Sequence, residues 1–201
     1  RNMNGGQSCI AAKRFVVHDA VYDEFLKKFV DEVESLTIGD PMDGDVDVGP
    51  QASQRLMEEL HEQVEESVDA GARLLTGGEP LDREGAFYPT TVLTDIPPGC
   101  PADDEELFGP VASVFRVDTE RDAIKKANES PFGLGASIWT EDRDRGESVA
   151  AKIDSGCTYV NQLTKSDPRV PFGGIKDSGY GRELSEDGIK EFVNRKTVWI
   201  E

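Results

Sequence analysis

One cysteine near the start of the chain is the residue whose type and setting best suit covalent chemistry. Cys9 follows Gly5-Gly6, and glycines allow tight turning and close backbone approach. Residues 10–14 are predicted to form a short helix, whose positive N-terminal end, together with Lys13 and Arg14, would favour the thiolate. On spacing alone, the alternative interpretation of Cys9 as a small buried apolar residue stays open.

A cysteine hydrolase is the first rival interpretation, because a histidine beside a cysteine also activates the thiol. The chain has two histidines: His18 follows the strand predicted after Cys9, and His61 lies on a charged helix, where we predict that it is solvated. Neither fits a zinc pattern. The acidic residues 40–47 do not begin a calcium loop, because Val48 replaces the glycine required after Asp47 and Gln54 replaces the glutamate. No metal site is therefore expected. No glycine-rich nucleotide motif is present either, so another segment must hold most of any dinucleotide.

The composition limits the partners of the chain. Its 201 residues contain 40 Asp and Glu against 22 Lys and Arg, a net charge of -18, which disfavours binding to nucleic acid. We expect no membrane partner, since no apolar run has the length of a membrane span. The odd count of 3 cysteines favours a reducing cytoplasm. Acidic residues occur in nearly every predicted element, which favours a salt-adapted surface over a docking face for a cationic partner.

The hydrophobic pattern predicts alternating strands and helices. Residues 20–36 are predicted to form a helix that begins at Asp19 and has Val21, Phe25, Phe29 and Val33 on its buried face. A second helix is predicted over 52–70, and shorter polar helices over 119–129 and 142–153. Strands are predicted at 14–17, 73–76, 91–93, 112–117, 136–140 and 158–161. This order predicts an α/β sheet with crossover helices.

Four segments, in order along the chain, resemble the aldehyde dehydrogenase superfamily. Gly6-Gln7-Ser8-Cys9, with Arg14 five residues on, resembles the active-site cysteine motif of this family, and residues 105–111 (EELFGPV) resemble its second signature. Residues 130–136 (SPFGLGA) and 171–183 (PFGGIKDSGYGRE) resemble two further family segments. Residues 165–169 (KSDPR) look most similar to the succinate-semialdehyde dehydrogenase branch.

The resemblance implies a domain organisation. Residues 1–195 would form the thiol-bearing catalytic domain, with a mostly parallel sheet and crossover helices. Residues 196–201 would form an inter-subunit strand, which would protect its exposed edge by joining a neighbouring subunit in a homodimer or homotetramer. Most of the cofactor-binding domain would lie outside the chain. The chain therefore resembles a piece of a longer protein.

The resemblance also implies a reaction. The Cys9 thiolate would attack an aldehyde to give a thiohemiacetal, with the Cys9 N–H as one oxyanion donor. Glu106 would bind the nicotinamide-side ribose of NAD or NADP, and Phe108 would pack near the nicotinamide ring. The sequence does not distinguish the two cofactors. The general-base glutamate and the oxyanion asparagine of the family would precede Arg1, so the 201 residues alone are expected to be inactive. Without the resemblance, Glu106 would be interpreted as a surface acid and Phe108 as core.

Substrate choice is predicted from residues near the segment 171–183. Succinate semialdehyde carries a carboxylate, for which Ser166 is the predicted donor, with Lys165 and Arg169 as cationic supports and Phe172 as an apolar wall. The alternative that residues 165–169 form a polar surface loop stays open. Two alternative functions also stay open: a broad-range aldehyde dehydrogenase, and a non-catalytic assembly module that retains the fold.

Overall fold

The computed structural model describes residues 1–201, along which helices and strands alternate as predicted. The strands are β1 (Arg14–His18), β2 (Arg73–Thr76), β3 (Thr91–Thr94), β4 (Val111–Val117), β5 (Phe132–Gly133), β6 (Gly135–Ile138), β7 (Cys157–Val160) and β8 (Ile175–Lys176). The helices are α1 (Asp19–Glu34), α2 (Gln54–Asp69), α3 (Pro101–Asp104), α4 (Glu120–Asn128), α5 (Arg143–Ala150) and α6 (Ser185–Lys190). None of them is long and apolar enough to cross a membrane.

The chain divides into two compact units, Arg1–Lys126 and Ala127–Glu201. The first unit contains a four-stranded sheet in the order β1-β4-β3-β2. Strand β4 is parallel to both β1 and β3, and only β2 runs antiparallel to its neighbour β3. The predicted, mostly parallel α/β sheet is therefore confirmed.

Helix α1 confirms the predicted amphipathic helix but differs in its cap and its buried stripe. His18 caps it in place of the predicted Asp19, and His18 Nδ1 accepts the amide of Ala20 at 3.2 Å. Tyr22 is buried, whereas Val21 is 55% exposed. The reason is that a helix repeats every 3.6 residues, so that a strict four-residue spacing drifts off the buried face.

Helix α2 begins and ends close to the predicted residues. Ser53 Oγ accepts the amide of Leu56 at 3.3 Å, which satisfies one free N–H of the first turn. Gly71 follows the last turn with φ at 114°, in the left-handed region that favours glycine. The buried face of α2 packs in one cluster with Leu107 and Val111. This cluster holds the segment 105–111 against α2.

The second unit contains two small two-stranded sheets, β5-β8 and β6-β7. Strands β6 and β7 are parallel, and β5 and β8 are antiparallel. Residues 192–201, after α6, belong to no helix or strand of this chain, and Val198, Trp199 and Ile200 are largely exposed. The strand expected at 196–201 therefore has no partner within the chain.

Candidate active site

The loop that carries Cys9 is a tight turn. After a 3₁₀ turn at Met3–Gly6, the Ala11 amide donates to the Ser8 carbonyl at 3.0 Å, and Cys9 lies exposed within this turn. The short helix predicted over 10–14 does not form, because β1 already pairs with β4 from Arg14 onward. Too few residues remain to nucleate a helix. The interpretation of Cys9 as a buried apolar residue is wrong, and so is the expected helix dipole.

Gly6 brings the cysteine loop into backbone contact with the segment 105–111. Its φ is 72°, and a Cβ built on it would lie 2.5 Å from the Gly109 carbonyl carbon and 3.0 Å from Pro110 N. Only a residue without a side chain permits this approach. Cys9 is therefore held close to the second signature.

Lys13 links the cysteine loop to Glu106. Its Nζ donates to the backbone carbonyls of Ser8 at 2.9 Å and Cys9 at 3.1 Å, and it forms an ion pair with Glu106 Oε1 at 2.8 Å. Burial lowers the pKa of Lys13, while the hydrogen bond to Glu106 opposes the shift. Glu106 therefore has a specific partner beside the cysteine loop, which its alternative interpretation as one more surface acid did not include.

Phe108 presents its ring to solvent beside this ion pair. It is 40% exposed, and Lys13 Nζ lies 5.4 Å from its ring centroid. A core phenylalanine would be buried, so the interpretation of Phe108 as a core residue is wrong. The exposed face is available to a flat aromatic ligand.

A cavity of about 430 Å³ lies between α2 and the segment 105–108, with Glu106 and Phe108 in its wall. Its size and its combination of an aromatic face and a hydrogen-bonding carboxylate fit the ribose and nicotinamide end of a dinucleotide. The carboxylates that line the cavity would repel a pyrophosphate. They are Glu59, Glu62, Glu66, Glu105 and Glu106. Any phosphates must therefore be bound by other residues, as the sequence predicts.

Arg1 is a positioning residue that sequence reasoning missed. Its guanidinium donates to the carbonyls of Leu107 and Val111 at 2.7 Å each, to that of Gly109, and to that of Ala11 at 3.2 Å. Burial lowers its pKa, but an arginine with these acceptors remains charged at neutral pH. Arg1 thus joins both sides of the site. No local pattern indicated this role, because three of the four acceptors lie more than a hundred residues away along the chain.

The histidines and the other two cysteines have structural partners. His61 is half-buried, not solvated as predicted: its Nδ1 lies 3.3 Å from the Tyr88 hydroxyl. Cys100 is buried with its Sγ 3.2 Å from the Pro97 carbonyl, and Cys157 Sγ lies 3.7 Å from the Gly173 carbonyl. Cys9 is the exposed thiol of the three.

The second unit carries the residues predicted to select the substrate. Ser166 is exposed, whereas Phe172 is buried at 8% exposure and exchanges backbone hydrogen bonds with Glu183 at 2.8 and 2.9 Å. Arg169 pairs with Asp167 within the same loop at 2.7 Å, and this contact holds the pKa of Asp167 well below its usual range. Ser166 is thus exposed to a ligand, whereas the Arg169 guanidinium is already paired with Asp167.

The glycine-rich segment after Phe172 is held by Arg182. Its Nη1 donates to the carbonyls of Gly174 at 2.9 Å and Gly181 at 2.6 Å. Arg182 therefore has a structural role, which it fulfils through backbone carbonyls. Gly179 and Gly181 have φ values of 115° and 79°. They form backbone bends.

The fold and the site together define an α/β protein with an exposed thiol in a loop tied to a carboxylate and an aromatic ring. The chain belongs to the aldehyde dehydrogenase family, whose model matches residues 2–198. This membership confirms the resemblance of the four motifs.

Three relatives show how far the similarity extends. The chain is 49% identical over 200 residues to a probable NADP(+)-dependent succinate-semialdehyde dehydrogenase of Synechocystis sp., and 51% identical over 200 residues to succinate-semialdehyde dehydrogenase (NADP(+)) 1 of Mycobacterium tuberculosis. All of the chain matches, but it spans only 44% of the length of each relative. The crystal structure of succinic semialdehyde dehydrogenase from Streptococcus pyogenes in complex with NADP+ matches 98% of this chain and 43% of its own, with 39% identity and a TM-score of 0.94.

Proposed function

We propose that the chain forms the thiol-bearing part of an NAD(P)-dependent aldehyde dehydrogenase that oxidises succinate semialdehyde to succinate. The observation that carries this proposal is the exposed Cys9 thiol in a loop bonded, through Lys13, to Glu106. The succinate-semialdehyde dehydrogenases among the relatives support the choice of substrate. The NADP named for these relatives favours NADP as the cofactor, with NAD as the alternative.

The proposed chemistry begins with attack of the Cys9 thiolate on the aldehyde carbon, which gives a thiohemiacetal. The backbone N–H of Cys9 donates to the developing oxyanion. Glu106 accepts hydrogen bonds from the ribose, and Phe108 packs against the nicotinamide. The cofactor, when bound, supplies the acceptor for the substrate hydride. Cys9 then carries the acyl group as a thioester, which water hydrolyses to the acid.

We propose Ser166 as the hydrogen-bond donor to the substrate carboxylate and Lys165 as a supporting charge. Phe172 is the proposed apolar contact of the substrate carbon chain. Ser166→Ala is expected to lower kcat/KM for succinate semialdehyde about 10- to 100-fold, because one charge-assisted hydrogen bond is lost. The kcat/KM for an uncharged aldehyde of equal length is expected to stay within about twofold. Steady-state kinetics of the protein that carries this chain measure both values.

Ser148→Ala, on the exposed face of α5, is the matched control for this experiment and should change neither value. Equal losses on both aldehydes for Ser166→Ala would contradict its role as carboxylate donor. Comparable kcat/KM values on both aldehydes for the unmodified protein would instead favour the broad-range aldehyde dehydrogenase.

We propose that residues 1–195 act as one catalytic domain and that residues 196–201 pair with a second subunit. Val198, Trp199 and Ile200 are exposed by 69%, 84% and 87%, which an unpaired apolar segment does not maintain favourably in water. Deletion of 196–201 is expected to convert a homodimer or homotetramer into smaller species, as measured by sedimentation. If the shortened protein sediments as the same oligomer as the full-length protein, this interface is contradicted.

We propose that the protein is cytoplasmic and adapted to concentrated salt. The net charge of -18 lies mostly on the first unit, which has 27 acidic and 12 basic residues, and its self-repulsion decreases when salt screens it. The thermal midpoint of unfolding is expected to rise between 0.1 M and 2 M KCl. A midpoint that falls over this range would contradict the adaptation.

A further inference from the structure

The ammonium group of Lys13 uses all of its donors at the site. It has three N–H groups, and three acceptors surround it: Ser8 O at 2.9 Å, Cys9 O at 3.1 Å and Glu106 Oε1 at 2.8 Å. The side chain is only 16% exposed, so water competes little for these bonds. The ammonium therefore fixes the backbone on both sides of the Cys9 Cα atom relative to the Glu106 carboxylate.

One of these acceptors bears directly on the proposed oxyanion donor. The Ser8 carbonyl and the Cys9 N–H belong to the same peptide group. A cation bonded to the oxygen of a peptide polarises it and makes its N–H a stronger donor, because hydrogen bonds in a chain reinforce one another. The bond from Lys13 to Ser8 O thus acts on the N–H that faces the oxyanion.

We propose that Lys13 is a positioning residue that aims and polarises the Cys9 peptide and couples it to the cofactor-binding Glu106. This inference rests on the proposed function. The bonds to Ser8 and Cys9 would act on kcat through the oxyanion, whereas the ion pair would act on cofactor binding by orienting Glu106. One side chain therefore influences two separable kinetic quantities.

Burial also makes the charge state of Lys13 depend on pH. It is the main cause that lowers the pKa of Lys13 below the ordinary lysine value of 10.5, and the hydrogen bond to Glu106 opposes it. Since the folded pKa is lower than the unfolded one, stability is expected to increase as the pH rises through the window below 10.5.

The test compares Lys13→Met with Lys13→Arg in the protein that carries this chain, with succinate semialdehyde and NADP+ as substrates. Lys13→Met is expected to lower kcat about 10- to 100-fold and to raise the KM for NADP+ about tenfold. The expected decrease in kcat does not exceed the decrease caused by removal of a whole oxyanion donor. Arginine can keep the ion pair with Glu106, but its planar fork does not match three acceptors around one nitrogen. Lys13→Arg is therefore expected to restore the KM for NADP+ but not kcat.

Two controls separate this role from a general loss of structure. Lys28→Met, at an exposed lysine that pairs with Glu24 on α1, should leave kcat and KM unchanged. Glu106→Gln should raise the KM for NADP+ more than it lowers kcat. The thermal midpoint of Lys13→Met is expected to stay within about 3 °C of the unmodified protein, because the lost bonds are offset by the lost burial of charge. A kcat of Lys13→Met within twofold of the unmodified value, or a loss explained by unfolding, would overturn the proposal.

A second readout does not need dehydrogenase activity. The rate at which iodoacetamide alkylates Cys9 at pH 7.5 without cofactor is expected to fall about threefold or more in Lys13→Met, because the loop that presents the thiol loses the two backbone bonds from Lys13. An unchanged rate would overturn the effect of Lys13 on the thiol. If the unmodified protein oxidises no aldehyde while this rate still falls, the proposed function fails and the coupling of Lys13 to Cys9 stands.

Discussion

Replacing Gly6 with alanine is expected to lower the free energy of unfolding by about 2–5 kcal/mol and to remove most of the aldehyde oxidation. The new Cβ would add the strain of a positive φ, about 1–2 kcal/mol, to a clash with the backbone at Gly109 and Pro110. Backbone atoms cannot move aside as the end of a side chain can. The cysteine loop and the segment 105–111 must therefore separate, which displaces Cys9 from Glu106. Denaturant unfolding followed by steady-state kinetics on the folded fraction measures both effects.

Gly44→Ala is the matched control for Gly6→Ala. Gly44 also has a positive φ, 105°, but a Cβ there would meet nothing within 4 Å. Gly44→Ala is expected to lower the free energy of unfolding only by the strain of the positive φ, about 1–2 kcal/mol, and to keep full activity. The difference between the two variants isolates the contact between the cysteine loop and the second signature. Equal destabilisation by both substitutions would show that this contact contributes nothing.

Cys9→Ser is expected to lower kcat for aldehyde oxidation by at least about a thousandfold while leaving the thermal midpoint unchanged. A serine hydroxyl ionises far less readily than a thiol, so almost no nucleophile is present at neutral pH. The side chain is exposed and lies in a turn, so its replacement disturbs no core packing. A coupled assay for NADPH formation, together with a thermal melt, separates the chemical effect from folding.

Cys157→Ser is the matched control for Cys9→Ser, since this thiol is half-buried and its Sγ lies 3.7 Å from the Gly173 carbonyl. It is expected to retain activity. Iodoacetamide labelling of the unmodified protein near neutral pH adds a direct measure of thiol reactivity. An inert Cys9, together with full activity of Cys9→Ser, would favour the non-catalytic module over the enzyme.

Much of the fold could be predicted because its signals are local. Short β-prone runs predicted β2 at 73–76 with both bounds correct, and such runs placed the other five predicted strands within two residues. Glycine at position 71 indicated the end of α2, because a left-handed residue after a helix favours glycine whatever the rest of the chain does. The errors also had local causes. Val21 was predicted in place of Tyr22 because a helix of 3.6 residues per turn was treated as one of four. Asp19 was predicted as the cap in place of His18 because aspartate is the commoner capping residue.

The candidate site was predictable only in part. Motif order indicated Cys9, Glu106 and Phe108, but the expected helix after Cys9 was wrong because the pairing of β1 with β4 takes up its last residue. Secondary-structure propensity over five residues is weak, and a parallel strand that buries Val17 outweighs it. The turn that forms instead leaves the thiol exposed.

The sequence by itself determined which residues are the candidates for nucleophilic and cofactor chemistry, because residue type and motif order are properties of the chain. Only the tertiary structure decided how those residues are held. Arg1 donates to the carbonyl of Val111, 110 residues away along the chain, and Lys13 forms an ion pair with Glu106 of the same segment 105–111. Such contacts depend on the parallel register of β1 and β4 and on the close backbone approach at Gly6. Hydrophobic periodicity describes only neighbouring residues along the chain. It therefore cannot indicate that the cysteine loop and the segment 105–111 lie close together in the folded protein.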